Sequence, residues 1–278
     1  MNQPQRVGPN APESYAEEWR RQPAVRADSM AHATEVMLDV AGVSEGMRVL
    51  DLGAGMGDQS IAAARRVGLS GFVLATDRDP AMLEGARKAI ANACLTNVDT
   101  RVMDAQAIEV EPGSFDAVIS RMMLMLLPEP AKMLAGARDA LKSGGRLGAV
   151  VFASAERNAF LSVPIELARR AGGLPAPDPR EPGVFALGTP GAAEELLRAA
   201  GFRDVRGRAV KLSVRPPSVD AAMAILVEAA PVLGRLLGRL DGVQQQRAWD
   251  EIREWLTARA RPEGLELDGE CLVVAGAR

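Results

Sequence analysis

Short apolar runs alternate with helical repeats through the middle of the chain. Arg48 to Leu52, Phe72 to Thr76, Val98 to Met103, Phe115 to Ser120 and Gly145 to Phe152 each read as strands. Between them, Gly57 to Val67, Pro80 to Ala93 and Pro130 to Leu141 carry helical spacing. Proline opens two of these three stretches, where a missing N–H costs nothing. Ser143-Gly144-Gly145 supplies a turn before the fifth strand. Strands and helices in strict alternation, with short connections, predict a mostly parallel sheet with helices on both faces.

The rhythm differs at the two ends. Residues 1–12 are polar and proline-rich and read as disordered, Ser14 to Arg21 as a short helix. Ser29 to Val40 reads as a second helix, with Met30, Ala33, Met37 and Val40 at helical spacing. After Phe152 come a helix over 156–171, a Pro/Gly-rich connection over 172–190, and a helix from Gly191 to Ala200 ended by Gly201. Arg203 to Val214 reads as a sixth strand, helices near 218–240 and 243–260 follow, and Cys271 to Gly276 is a seventh. The expected organisation is an N-terminal helical lid (1–45), a cofactor-binding core (46–152), a cap insertion (153–190), the remainder of the core (191–214 and 266–278) and a second helical cap insertion (215–265).

Charge and composition narrow the partners. The formal net charge of -3 offers no footprint for a phosphate backbone. Aromatic residues make up 4% of the chain, too few for the stacking platforms of a single-strand binder. No nucleic acid partner is expected. Apolar runs such as Met122 to Leu127 are far too short to span a bilayer, so no membrane association is expected either. Cys94 and Cys271 have no metal-type spacing, and the simplest reading is two free thiols in a reducing compartment. A cytoplasmic location, no metal, and a monomer or homodimer are the expectations.

The chemistry concentrates in Val49-Leu50-Asp51-Leu52-Gly53-Ala54-Gly55-Met56-Gly57. A strand runs into a glycine-rich turn and then a helix, whose first N–H groups lie free to face a ligand. Asp77 ends the second strand, where a carboxylate can accept both hydroxyl hydrogens of a ribose. Asp104 follows the third strand, where it can accept from an adenine amine. Carboxyl ends of successive strands are where open α/β sheets bind ligands. An acid two residues before the first glycine disfavours a pyrophosphate and suits a ligand carrying an ammonium and a sulfonium.

These residues, together with Phe115-Asp116-Ala117-Val118 and Leu141-x-x-Gly144-Gly145-Arg146, resemble the class I S-adenosylmethionine-dependent methyltransferases. The likeness is strongest over residues 30–155 and nearest the ubiquinone/menaquinone-biosynthesis type of small-molecule enzyme. It implies a Rossmann-like α/β fold, a mostly parallel seven-stranded sheet with helices on both faces and a helical cap. It also implies S-adenosylmethionine as cofactor. Gly53, Gly55 and Gly57 would line its methionine and ribose, with Asp51 at the ammonium. Asp77 and Arg78 would lie at the ribose, and Asp104 with Ala105 at the adenine. Ser120 and Arg121, ending the fourth strand, would lie beside the transferable methyl. The implied reaction is in-line methyl transfer to an oxygen, nitrogen or carbon nucleophile of a small aromatic, quinone-like or polyketide-like metabolite.

Several residues carry two readings each. His32 is the single histidine, and is either a general base or an exposed or packing helix residue. Arg121 either binds an acidic acceptor or pairs with a nearby carboxylate. Tyr15 and Trp19, at i and i+4, either close the substrate pocket or simply pack. Met122, Met123 and Met125 either fill core or wall an apolar acceptor, with Phe160 from the cap. Two other functions remain open. A nicotinamide-dependent oxidoreductase of the short-chain type needs a tyrosine and a lysine four residues on, but Trp19 holds that place after Tyr15. A non-catalytic S-adenosylmethionine-binding protein would share the glycine turn and both downstream acids.

Overall fold

A computed structural model describes residues 23–176, 178, 181–229 and 231–278. The strands β1 (Arg48–Leu52), β2 (Phe72–Asp77), β3 (Val98–Val102), β4 (Phe115–Arg121), β5 (Leu141–Phe152), β6 (Arg203–Val214) and β7 (Leu267–Ala277) form one sheet. Its order is β3-β2-β1-β4-β5-β7-β6. The first five are parallel, and β7 runs antiparallel to both of its neighbours. The expected mostly parallel seven-stranded α/β sheet is therefore the fold of the chain.

β5 begins earlier than its sequence pattern implies. Phe115 pairs with Leu141 and Ala117 with Arg146, so four residues of β5 bulge out of register opposite one of β4. Gly144, at φ +81°, turns inside that bulge. The Ser143-Gly144-Gly145 turn is thus absorbed into the strand.

Nine helices are described. They are α1 (Pro23–Val40), α2 (Asp58–Val67), α3 (Pro80–Asn92), α4 (Pro130–Ala140), α5 (Ala159–Ala171), α6 (Ala192–Ala199), α7 (Val219–Ala229), α8 (Pro231–Leu237) and α9 (Gly242–Thr257). Side chains alternate across each strand and so feed two cores. Leu50, Leu52, Val118, Leu147 and Val274 face α4 and α6. Val49, Ala117, Ile119, Val150 and Val273 face α1 and α2. α3 packs beside α2 over β2 and β3.

α1 belongs to this second layer. Ala33, Val36, Met37 and Ala41 recur at helical spacing and are buried against the sheet. Gly148 of β5 makes the approach possible, because a Cβ there would lie 2.8 Å from the Met37 carbonyl oxygen. The region expected as a lid over 1–45 therefore places residues 30–43 on the face of the sheet. Tyr15 and Trp19, and the expected helix that carries them, lie outside the described residues.

The cap expected over 153–190 and 215–265 has its own core. Leu161 and Ala168 of α5 pack with Leu226, Leu233, Ile252 and Leu256 from α7, α8 and α9. Trp249 and Trp255 lie against the same cluster. It meets the sheet through Phe152, Val214 and Leu267, at the carboxyl edge of the parallel strands. Phe160 stands edge-on to Phe152 at 6.5 Å, and Phe185 lies 6.2 Å from the same ring. No described helix is long and apolar enough to cross a membrane.

Candidate functional site

The sheet reverses its winding between β1 and β4, and the crevice beyond those two carboxyl ends is where such sheets hold ligands. The glycine turn occupies it. Gly53, Gly55 and Gly57 sit at φ +74°, +56° and +87°, a region that favours glycine. The Gly53 and Ala54 N–H groups donate to the Thr76 carbonyl at 2.9 and 2.8 Å, which fastens the turn to β2. A Cβ at Gly57 would sit 3.0 Å from that of Ala86, so this glycine lets α2 approach α3. A Cβ at Gly55 would meet nothing within 4 Å, so that stretch of backbone faces open space.

Asp77 stands over the turn. Its Oδ2 accepts from the Gly55 N–H at 3.0 Å and its Oδ1 from the Asp79 N–H at 3.0 Å. Each oxygen keeps a lone pair for a further donor, as a vicinal diol would supply. Burial pushes the carboxyl above its ordinary value, against the two backbone donors. Arg78 beside it is exposed. Asp104 is exposed at the end of β3, where its side chain accepts from the Gln106 N–H at 2.9 Å, and Ala105 is buried. Asp77 and Asp104 thus flank one edge of the crevice, as the sequence implied.

Asp51 lies beneath the turn. As an odd-numbered position of β1 it points to the α2 face with Val49, and it is fully buried. It accepts from the Ser60 hydroxyl at 2.5 Å and from the Gln59 amide. Burial pushes its carboxyl up to about 7, while Ser60, Gln59 and the Arg121 charge pull the other way. The Gln59 Oε1 has no partner although its side chain is 1% exposed. An orphaned acceptor of that kind, next to a turn with open space over Gly55, suits a ligand or water donor.

The end of β4 differs in part from expectation. Ser120 is buried and its hydroxyl donates to the Leu52 carbonyl at 3.0 Å, tying β4 to β1 rather than facing outward. Arg121 pairs with Asp58, the first residue of α2, and donates to the Thr34 hydroxyl at 2.7 Å. Of its two readings, the carboxylate pair is the one observed. Met122 takes φ +58°, an uncommon conformation for a side chain without local hydrogen bonding. The turn it makes brings Met123 over Gly53, where a Cβ would lie 2.5 Å from the Met123 sulfur. Met122 and Met123 are partly buried, Leu126 is partly exposed, and Met125 is buried in the core. The Met125 carbonyl accepts from the Gly183 N–H of the cap connection at 3.0 Å.

His32 is not brought to this site. It is exposed on α1, about 200° around the helix from Thr34, whose hydroxyl reaches Arg121. It shares its outer side of α1 with Glu35 and Asp39, which pair with Arg66. Phe160 stands at the junction of sheet and cap, away from the glycine turn. Thr34, Asp58, Gln59 and Ser60 were missed as site residues. For Asp58 a signal existed, an acid in the first turn of a helix after a glycine loop. Among the described residues no group of His, Cys, Asp and Glu converges as a metal site would.

A family model described as a methyltransferase domain matches residues 43–159, the stretch that holds the glycine turn, Asp77 and Asp104. Nocamycin O-methyltransferase from Saccharothrix syringae is 31% identical over 194 residues, which cover 66% of this chain and 69% of that protein. Aklanonic acid methyltransferase DauC from Streptomyces sp. (strain C5) is 37% identical over 111 residues, 40% of this chain. The matched part is half of that relative's length. The crystal structure of a methyltransferase assigned as such from Bacillus halodurans C-125 matches with a TM-score of 0.60 at 18% identity. It covers 88% of this chain and 98% of its own, and shows the fold alone. The glycine turn with its three acids, the sheet order and the similarity to nocamycin O-methyltransferase agree, and the chain belongs to the class I S-adenosylmethionine-dependent methyltransferases.

Proposed function

We propose that the chain transfers a methyl group from S-adenosylmethionine to an oxygen of a small, largely apolar metabolite, aromatic, quinone-like or polyketide-like in kind. The supporting observation is Met123 against Gly53 of the glycine turn, followed by the exposed Leu126, with Met125 tied to the cap at Gly183. A thioether is pliable and apolar, and suits a flat hydrophobic acceptor. Two relatives bear the names of small-molecule methyltransferases, one of them an O-methyltransferase. The motifs from Gly53 to Gly57 and at Asp104 favour the branch that includes the ubiquinone/menaquinone-biosynthesis type. Tyr15 and Trp19 complete the reading as residues that close over the acceptor.

The chain's own groups fit the cofactor. The open space over Gly55 admits its backbone-lined half, Asp77 receives the ribose hydroxyls, and Asp104 with Ala105 receives the adenine. Asp51 supplies negative charge from beneath. When bound, S-adenosylmethionine provides a methyl carbon already activated by its sulfonium. The protein then holds the acceptor oxygen in line and excludes water, the work of Met122, Met123 and the cap.

Incubation with S-adenosylmethionine and a panel of phenols, carboxylic acids, amines and a peptide, read by mass spectrometry, tests this reading. Oxygen acceptors with an apolar body should gain one methyl. Methylation confined to the peptide, or turnover of a nicotinamide cofactor in place of methyl transfer, would overturn it.

A further inference from the structure

Arg121 stands where three elements meet. It ends β4, its side chain is 10% exposed, and its two terminal nitrogens go to Thr34 of α1 and Asp58 of α2. A guanidinium so engaged and so covered is poorly placed to receive an acceptor. What it does face is charge. The residues after Asp58, Gln59 and Ser60, hold Asp51, and the guanidinium favours the ionised form of that carboxyl, while Asp58 opposes it. We propose that Arg121 is a positioning residue, which clamps α1 onto the first turn of α2, the turn whose Gln59 and Ser60 hold Asp51, and so favours the ionised form of Asp51 beneath the glycine turn. It touches neither cofactor nor acceptor.

The surroundings leave this role to Arg121. From α2, Asp51 receives the Ser60 hydroxyl and the Gln59 amide, which are neutral, and the repulsion of Asp58. β2 contributes the Thr76 hydroxyl, which donates to the Asp51 carbonyl at 2.8 Å. β7 contributes the Cys271 thiol near Arg121, which burial pushes up to about 12 and so keeps neutral. From α1 the group turned this way is Thr34; Glu35 and Asp39 face Arg66 on the outer side. Among these described groups Arg121 is the one cation. Its strength is set by Asp58, which shares it, and by Thr34, which fixes its direction. The docking of α1 and the charge under the cofactor turn therefore depend on the same guanidinium. This inference rests on the cofactor reading for its consequence, though the state of Asp51 can be read without any cofactor.

The test follows the Asp51 carboxyl by carbon-13 NMR in protein labelled at aspartate, assigned with Asp51→Asn. Calorimetric titration with S-adenosylhomocysteine at several pH values runs beside it. In Arg121→Met the Asp51 midpoint should rise from about 7 by about one pH unit, and the pH profile of affinity should move with it. Arg121→Lys should restore most of the shift, because the charge returns without the fork. Asp58→Asn should lower the midpoint, since it removes the repulsion and frees the guanidinium; this variant decides the matter if Arg121→Met does not fold. An Asp51 midpoint unmoved in folded Arg121→Met, an equal shift in Arg121→Lys, or no fall in Asp58→Asn overturns the proposal. Absence of S-adenosylhomocysteine binding in every form would instead refute the cofactor reading, while the NMR midpoints still judge Arg121.

Discussion

Asp51 shows how a single residue can work against the stability of the fold for the sake of a site. The alternation of β1 leaves it no course but to point into the α2 layer, where water is absent. Its folded value, about 7, lies above the ordinary 3.8. The unfolded chain therefore releases this proton first. The contribution of the group to stability is complete below about pH 4 and is lost as pH rises through about 7. Asp51→Asn removes that loss while keeping an acceptor for Ser60 and a donor for the orphaned Gln59 Oε1. At pH 8 the variant should be the more stable, by up to about 4 kcal/mol, and the gain should vanish near pH 4. Thermal unfolding across pH measures this, and a variant destabilised at pH 8 would show that the ionised carboxyl is well compensated. At this scale the sequence indicated which acids stand at strand ends but not how each is engaged. Asp51, Asp77 and Asp104 were legible from their places at strand ends. The partners of Arg121 were not, since Thr34 and Asp58 lie 87 and 63 residues away.

At the scale of elements, local signals did well wherever an element is set by its own residues. β6 runs from Arg203 to Val214 as its alternation implies, and proline begins α3 and α4. Signals failed where packing decides. α1 was expected in an N-terminal helical lid, yet its residues pack on a face of the sheet, where Gly148 leaves room for them. The joint between core and cap was hidden for the same reason. Asn158 is fully buried, its amide nitrogen donates to the Ala153, Ser154 and Glu270 carbonyls, and its oxygen accepts from the Glu270 N–H at 2.9 Å. One side chain thus binds the start of α5 to β7. Asn158→Ala takes the amide from the Ala153 carbonyl and the Glu270 N–H in the interior, while the Ser154 and Glu270 carbonyls keep the Arg157 and Ala153 N–H groups, and should cost about 2–3 kcal/mol. Chemical denaturation measures the loss, and hydrogen exchange should show it centred on residues 153–171. A loss below a few tenths of a kcal/mol would show that water replaces the amide without penalty.

Among the described residues, the sheet and a separate apolar cluster share one edge. The sheet with its two helical layers offers the glycine turn and three acids at the point where its winding reverses. The cap, with a separate apolar core, rests on the same edge through Phe152, Phe160 and Phe185. The strand-helix rhythm foretold the sheet, because a parallel sheet allows few topologies. It did not foretell the turn at Met122, whose left-handed backbone no periodicity reveals. The account as a whole stands on S-adenosylmethionine binding over this turn with Asp77 at its ribose. Calorimetric titration of the protein and of Asp77→Ala with S-adenosylhomocysteine and with NAD examines that most directly. The account predicts heat from S-adenosylhomocysteine and none from NAD. It predicts affinity weakened about ten- to a hundredfold in folded Asp77→Ala, the loss of a charge-assisted pair of hydrogen bonds. Binding of NAD in preference, or an affinity for S-adenosylhomocysteine that Asp77→Ala leaves unchanged, would contradict it.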